Sequence, residues 1–430
     1  MINYTFKKIG RVFLPIFFLS FTNSFAQNVF LPPKEEMQNI ARKTSEIRKL
    51  EPTSEMAYDL LNSTQISNYL NTKVDEIYND EFFEKQNKVF KKFGLIPENY
   101  DLKNETLKLL SGQVAAFFEP DSNKMFFSKE WAKKEDKTVI SHEYIHKLQH
   151  DNFNLSEAMS EAQSSNEDEA MAIQALIEGD ATLVMMFYQF STMFGGVEKM
   201  PSLSFTQLLP LVEMAMASEF PEVNSAPDYI KFGFLFPYIQ GMDFVNHFHG
   251  KGGFEEVNKV FKNFPVSTEQ ILHPEKYPLE KPAEIPSKMK VLTEELELSE
   301  VYENTLGEFN TYLLLKNGNS ESKAKNASEG WNGDKYFVVE KDEKVILTWE
   351  TVWDSEEDAF EFFTAIASNF ESRYKEPTTF LTESKVSGFK GENSFLIKIE
   401  KDRVFVIDGF DEDENVEILG KVSESRIFTD

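Results

Sequence analysis

None of the 430 residues is a cysteine, so disulfides, thiolate metal clusters and cysteine nucleophiles are all closed to this chain. The fold must be held by packing, and any metal must be bound by histidine, aspartate or glutamate. The means for packing are present: 41% of the residues are hydrophobic and phenylalanine alone takes 41 positions. That content excludes the weakly hydrophobic, highly charged composition of a disordered chain. The length allows one large domain or two to three ordinary ones. Asp and Glu number 72 against 45 Lys and Arg, a formal charge of -27. Such a field repels phosphate backbones and anionic lipid surfaces, so nucleic acid is not expected as a partner.

The N-terminus has a basic start (Lys7, Lys8, Arg11), an apolar run over residues 12–21 and the small-x-small ending Ser24-Phe25-Ala26. This is the pattern of a secretory signal peptide over residues 1–26, with Gln27 as the mature N-terminus, and it predicts a periplasmic or extracellular protein. The apolar run is shorter than the ~20 residues a membrane span needs, and Pro15 interrupts it. No stable membrane insertion is expected once the segment is removed.

Over residues 34–110 apolar side chains at three- and four-residue spacings (Leu60, Leu61, Ile66, Leu70, Val74, Ile77) predict helices with a break at Pro97. Two β-prone runs, 113–118 and 124–127, flank the turn sequence Pro120-Asp121-Ser122-Asn123 and predict a hairpin. A helix capped by Asp136 follows to about Asp151, then a polar stretch to 165 and a second strong helix from about Asn166 past Phe190. Further helices are expected at 205–219, 229–249 and 253–263. Pro274, Pro278, Pro282 and Pro286 exclude regular structure and mark the exit from the helical region. Beyond it, strand-like runs at 311–315, 336–340, 344–351 and 394–399 surround one helix at 355–371, opened by Asp354 and Glu357 at capping-box spacing. Trp331-Asn332-Gly333-Asp334 contains a hairpin dipeptide and reads as a fold determinant. The predicted fold class is α+β: a helical region at 27–110, a mainly helical domain with a small sheet at 111–288, and an α+β module at 289–430.

The stretch that carries chemistry is Ser141-His142-Glu143-Tyr144-Ile145-His146, a His-Glu-x-x-His motif on the first strong helix. Histidines four apart project from one helix face and can hold one zinc ion, with Glu143 beside them to take a proton from zinc-activated water. Such a site needs a third protein ligand. His150 continues the row, but three ligands along one straight helix cannot all reach one tetrahedral ion, so it reads as a surface histidine. The pattern with Gly at 149 and His at 152 is excluded, because those positions hold Gln149 and Asn152. Glu178, on the second strong helix, shares its face with Met171, Ala175, Ala181, Thr182 and Met185. A carboxylate there would be costly to bury alone, and coordination to a cation resolves that cost. Gly179 and the alanines are expected to let this helix approach the first closely. Asp168, Glu169 and Asp180 are candidate acceptors for the imidazoles' second nitrogens.

His142-Glu143-x-x-His146 followed by Glu178-Gly179-x-Ala181 resembles the gluzincin class of zinc metallopeptidases, whose third ligand is a glutamate on a following helix. The Glu-Gly-x-Ala form is nearer the aminopeptidase branch than thermolysin, in which an Asp four residues after the Glu orients a histidine; here that position is Thr182. Lys147, directly after the second histidine, is another departure. Phe236-Pro237-Tyr238-Ile239-Gln240-Gly241, with the later Gly252-Gly253, resembles the Pro-Tyr-x-x-Gly helix of gluzincin aminopeptidases, which implies that Tyr238 donates to the tetrahedral oxyanion. A neutral phenol suits that task. With Ala116-Phe117-Phe118-Glu119-Pro120, residues 267–277 and Gly330-Trp331-Asn332-Gly333-Asp334 added, the chain over about 95–370 resembles a family of exported bacterial proteins regarded as zinc metallopeptidases. His273 and Tyr277 are then possible cleft donors, while His247 and His249 read as helix-end residues without a role.

The expectation is an exported zinc metallopeptidase with a zincin-like domain, Zn2+ as cofactor on His142, His146 and Glu178, Glu143 as general base, and a peptide or protein as substrate. The predicted hairpin offers an edge strand for an extended peptide. Two alternatives stay open: a zinc hydrolase acting on an ester or a non-peptide amide, and a non-catalytic envelope binding protein stabilised by zinc.

Overall fold

The computed structural model describes residues 32–113, 115–129, 137–195, 225–288, 291–382, 385–390, 393–409 and 412–424. The expected signal peptide, the Asp136 cap and the helix at 205–219 lie outside the described residues. Three connected parts follow one another. The first holds α1 (Lys34–Arg48), β1 (Ala57–Leu61), α2 (Ser63–Ile77), α3 (Asp80–Phe93) and α4 (Leu102–Gln113). The second holds β2 (Ala116–Glu119), β3 (Lys124–Ser128), α5 (Lys137–Asn152), α6 (Leu155–Ser165), α7 (Glu167–Phe194), α8 (Asp228–Gly252), α9 (Phe254–Val260) and α10 (Thr268–Leu272). The third opens with a π-helical turn (Val291–Glu295) and continues with β4 (Ser299–Asn304), α11 (Gly307–Leu315), α12 (Glu321–Asn326), β5 (Trp331–Lys341) and β6 (Lys344–Trp353). It ends with α13 (Glu356–Tyr374), β7 (Thr379–Thr382), β8 (Lys385–Lys390), β9 (Asn393–Glu400), β10 (Arg403–Asp408) and α14 (Glu412–Glu424). The fold is α+β.

The small sheet has the order β1-β3-β2, with β1 parallel to β3 and β2 antiparallel to it. Leu60 and Leu61, expected on a helix, are therefore on a strand. Ala57 pairs with Lys124, a non-local partner that local periodicity cannot reveal. The expected hairpin is present as β2 and β3, and β2 is the outer strand. The polar stretch before α7 is itself helical, as α6.

The large sheet has the order β4-β5-β6-β10-β9-β8-β7, each neighbouring pair antiparallel. Its strands alternate cleanly: Tyr336, Val338, Trp349, Val404 and Val406 join one core, while Phe337, Val339, Ile346, Phe405 and Ile407 join another on the opposite face. Residues 311–315, expected as a strand, form the end of α11. This helix is buried between two cores, giving Phe309 and Leu313 to one and Leu314 and Leu315 to the other. A short helix that is apolar all round has no diagnostic period. Asn332-Gly333 is likewise not a hairpin turn. The register of β5 on β6 shifts between Trp331 and Gly333, and the turn joining the strands is Asp342-Glu343, both at positive φ (49° and 65°). Asp334 ties this corner together: its buried carboxylate accepts from the indoles of Trp331 and Trp349 and from the amides of Leu306 and Gly307. At α13 the cap is Ser355, which accepts from the Asp358 amide, rather than the Asp354/Glu357 box.

The core that positions the site is built by α1, α5, α7, α8 and the small sheet. α7 is long and apolar enough to cross a membrane by composition, and it runs through this core. Gly179 of α7 meets Gly241 of α8 so closely that a Cβ at Gly179 would lie 2.1 Å from the Gly241 backbone. A Cβ at Gly241 would lie 2.0 Å from the Ala175 carbonyl. The close approach of α7 that Gly179 allows is thus to α8, not to α5 as the sequence suggested.

Candidate metal centre

His142, Glu143 and His146 sit on α5, which is buried continuously from Val139 to Gln149. A helix surrounded on all sides has no amphipathic stripe, so its polar residues must find partners inside the protein. His142 Nε2 lies 3.0 Å from His146 Nε2, and Glu178 Oε2 on α7 lies 3.2 Å from the first and 3.5 Å from the second. All three side chains are buried. Four ligands arranged tetrahedrally at bond lengths of about 2.0–2.1 Å stand roughly 3.3–3.4 Å apart. The three donor atoms therefore have the spacing of three corners around one small cation, and two imidazoles and a carboxylate suit zinc chemically.

Glu143 points to the small sheet. Its Oε2 accepts from the backbone amide of Phe118 on β2 at 2.9 Å, and the residue is 1% exposed. Because β2 bonds β3 along its other edge, Phe118 turns its amide outward, and the antiparallel alternation puts the backbone groups of Ala116 on that same edge.

Charges in the metal-free centre follow from burial and proximity. Burial pushes Glu143 up to about 8, against the pull of the His146 charge. Burial pushes His142 down to about 4, more strongly than its hydrogen bond to Glu178 raises it. For His146 burial also disfavours the charge, but the Glu178 charge and hydrogen bond, with Glu143 and Gln149, outweigh it and carry the imidazole to about 9. Glu178 is pushed up by burial and more strongly down by His146 and His142, to about 2. The centre holds one imidazolium–carboxylate pair beside a neutral imidazole and a neutral carboxyl.

Behind His146 a hydrogen-bonded chain reaches the N-terminal helix. His146 Nδ1 lies 3.0 Å from Gln149 Oε1, and Gln149 Nε2 donates to the Ile177 carbonyl and to Asp180 Oδ2, both at 2.9 Å. Asp180 also accepts from Arg48 Nε at 2.7 and 2.9 Å. Of the three acidic residues considered from sequence, Asp180 alone is in this chain, and it acts through Gln149. Asp168 instead accepts from Thr268 and packs against Gly307, and Glu169 is partly exposed. Thr182 makes no hydrogen bond to either histidine among the described residues. Gln149 stands three residues after His146, on the same helix face, and that spacing is the signal that could have found it. Nothing local marks Arg48.

Tyr238 on α8 is brought to the centre: its ring is 6.3 Å from that of His142 and inclined by 25°. It stands three residues before Gly241 and so on the face by which α8 meets α7. Lys147 is buried and pairs with Asp151 and Ser54. His150 is half-buried with its ring 6.0 Å from Phe118, not on the open surface. His273 donates toward Glu308 at 2.9 Å and lines a cleft of about 610 Å³ with Phe236, Ile239, Gln240 and His247. Tyr277 donates to the Asn263 carbonyl and packs against Phe244 and Phe248. None of these contacts involves a residue of the three-ligand cluster. His249 packs against Phe187 and Phe254.

Comparison with known proteins adds little to this geometry. One family, described as a domain of unknown function (DUF8575), matches residues 294–419. No curated protein matches the sequence. Among solved structures, the chain is similar to "a putative hydrolase with a novel fold" from Chloroflexus aurantiacus, at a TM-score of 0.31 and 12% identity, covering 56% of this chain and 88% of that one.

Proposed function

We propose that the chain is an exported zinc metallopeptidase of the gluzincin type. One observation carries the reading: two histidine nitrogens and a glutamate oxygen from two helices converge at 3.0 to 3.5 Å in a buried centre, beside a second buried carboxyl. His142, His146 and Glu178 would hold the ion. Bound there, zinc supplies Lewis acidity, acidifying water and polarising a carbonyl. Glu143 takes the proton of the attacking water and returns it to the leaving amine. Its hydrogen bond from the Phe118 amide holds the carboxylate in place for both transfers. Tyr238, close to His142, donates its hydroxyl hydrogen to the oxygen that gains charge as the carbonyl becomes tetrahedral. The outward backbone groups of Ala116 and the Phe118 carbonyl would pair with an extended peptide, the Phe118 amide being held by Glu143. Export rests on the N-terminal basic, apolar and small-x-small pattern.

The test is elemental analysis and peptide-library cleavage by the purified protein with and without chelator. One zinc per chain and chelator-sensitive peptide hydrolysis are expected. Zinc with cleavage only of esters or non-peptide amides would replace the peptidase reading, and zinc without any hydrolysis would favour a binding protein.

A further inference from the structure

In thermolysin an Asp four residues after the ligating glutamate orients a histidine; this chain, nearer the aminopeptidase branch, has Thr182 there. A ligating histidine needs its second nitrogen fixed, otherwise the ring can rotate or present the wrong tautomer. We propose that Gln149 is the positioning residue for His146, held in place by Arg48 of the first helix through Asp180. The proposal rests on the metal-centre reading above and goes beyond its ligands.

The hydrogen assignments follow from donors and acceptors alone. The Gln149 nitrogen faces two acceptors, the Ile177 carbonyl and the Asp180 carboxylate, so it must be the NH2 end of the amide. The oxygen end is then toward His146 Nδ1, at 3.0 Å, and can only accept. His146 Nδ1 must therefore carry a hydrogen whether the ring is charged or neutral; in the neutral ring, the form that can ligate a metal, this leaves Nε2, the atom nearest His142 and Glu178, to offer a lone pair.

Asp180 is what orients Gln149, and Arg48 is what makes a buried Asp180 tolerable. Neither side chain is exposed. Arg48 also donates to Asn258 and lies over the ring of Phe254 at 4.7 Å. Thr44, one turn earlier on α1, shares a hydrogen bond with Ser141, next to His142. The first helix, in which the sequence shows no chemistry, thus grips both metal-bearing helices.

Six histidines in the chain make selective 15N-histidine labelling tractable. In the zinc-loaded protein, a slowly exchanging His146 Nδ1–H resonance with cross-relaxation to the Gln149 side chain is expected. Gln149→Met, which keeps the volume and removes the acceptor, should abolish that resonance while leaving that of His142. It should also weaken zinc binding, read by competition against a chromophoric chelator, by about 10- to 100-fold. Arg48→Met should weaken zinc binding in the same direction. Unchanged affinity in Gln149→Met, or a His146 Nδ1–H without contact to Gln149 in the unaltered protein, overturns the proposal while the metal reading stands. The second measurement needs no variant and holds if Gln149→Met fails to fold. A lower thermal midpoint with normal affinity identifies a merely structural glutamine. Failure of the unaltered protein to bind zinc overturns the metal reading and this proposal with it.

Discussion

Glu143 is the residue whose replacement separates chemistry from structure. Glu143→Gln keeps the side chain's shape and a hydrogen-bonding oxygen for the Phe118 amide, so zinc content and thermal midpoint should hold. Turnover should fall at least ~100-fold, the usual scale of a positioned general base; activity within a few-fold of the parent would remove the mechanism. The metal-free centre also predicts a pH dependence. Glu143 keeps its proton to about 8 when folded and releases it near 4.5 when unfolded, and His146 keeps its proton to about 9 against 6.5. The folded state therefore binds more protons than the unfolded state at both groups from pH 6.5 to 8, and at His146 up to 9, so stability falls as pH rises through this window. Glu178, depressed to about 2 from 4.5, works oppositely: its contribution is present above 4.5 and lost as pH falls toward 2. His142, depressed to about 4 from 6.5, contributes above 6.5 and loses it as pH falls to 4. Thermal midpoints measured without metal should decline from pH 6.5 to 9, and buffered zinc should offset the decline, because binding displaces the His146 proton. Midpoints that rise in that window without metal would contradict the charge assignment. Much of this centre is legible in sequence, since His142 and His146 are one turn apart and Glu178 is a carboxylate among apolar neighbours. Gln149 carries a local signal in its three-residue spacing from His146, whereas Arg48 carries none, because it meets Asp180 across 132 positions of chain.

At the scale of elements, the crossing of α7 and α8 decides where Tyr238 stands. Gly241→Ala would place a methyl group 2.0 Å from the Ala175 carbonyl, a backbone atom that cannot rotate away. Overpacking typically costs about 1–3 kcal/mol, and contact with backbone puts this substitution at about 3 kcal/mol or more. The thermal midpoint should drop clearly, and any folded protein should turn over more slowly because α8 and Tyr238 have shifted. Tyr238→Phe provides the contrast: it keeps the ring beside His142, so the midpoint should hardly move while kcat falls ~10²- to 10³-fold, the usual loss for one oxyanion donor. A normal kcat in Tyr238→Phe would return the residue to packing. Long uninterrupted helical runs were legible: α5, α7, α8 and α13 lie close to their expected spans. Elements whose state is set by remote partners were not. β1 exists because Ala57–Leu61 finds β3, and the β-prone residues of α11 become helical because two cores close on the segment from opposite sides.

At the scale of the whole molecule, the proline-punctuated stretch near 274–286 is a break in regular structure but not in packing. Helix α3, from the first part, supplies Phe83, Val89, Phe90 and Phe93 to the same core as Trp331, Trp349, Trp353 and Phe362. Phe93 meets Tyr336 and Trp349 edge-on at 5.1 and 5.4 Å, and Lys92 reaches Asp408 at 3.1 Å. Arg373 donates to the Lys92 carbonyl at 2.6 Å, and Lys276 reaches Asp354 at 2.7 Å. The stretch itself is open, with Leu279 at 87% exposed and Glu280, Lys281 and Glu284 also exposed. Lys281 precedes Pro282, which spares it from trypsin, so a glutamate-specific protease is the better probe. Cleavage after Glu280 or Glu284 should give two fragments that stay together on gel filtration, keep zinc and unfold in one transition. The reason is that a nick removes one covalent link and none of the aromatic packing between α3 and the large sheet. Fragments that separate in native buffer would mean that the shared core is too weak to bind them without the chain. Fragments that stay associated but lose zinc would instead place the stretch itself among the supports of the metal centre, through Thr268 on Asp168 and Gly307 beside it.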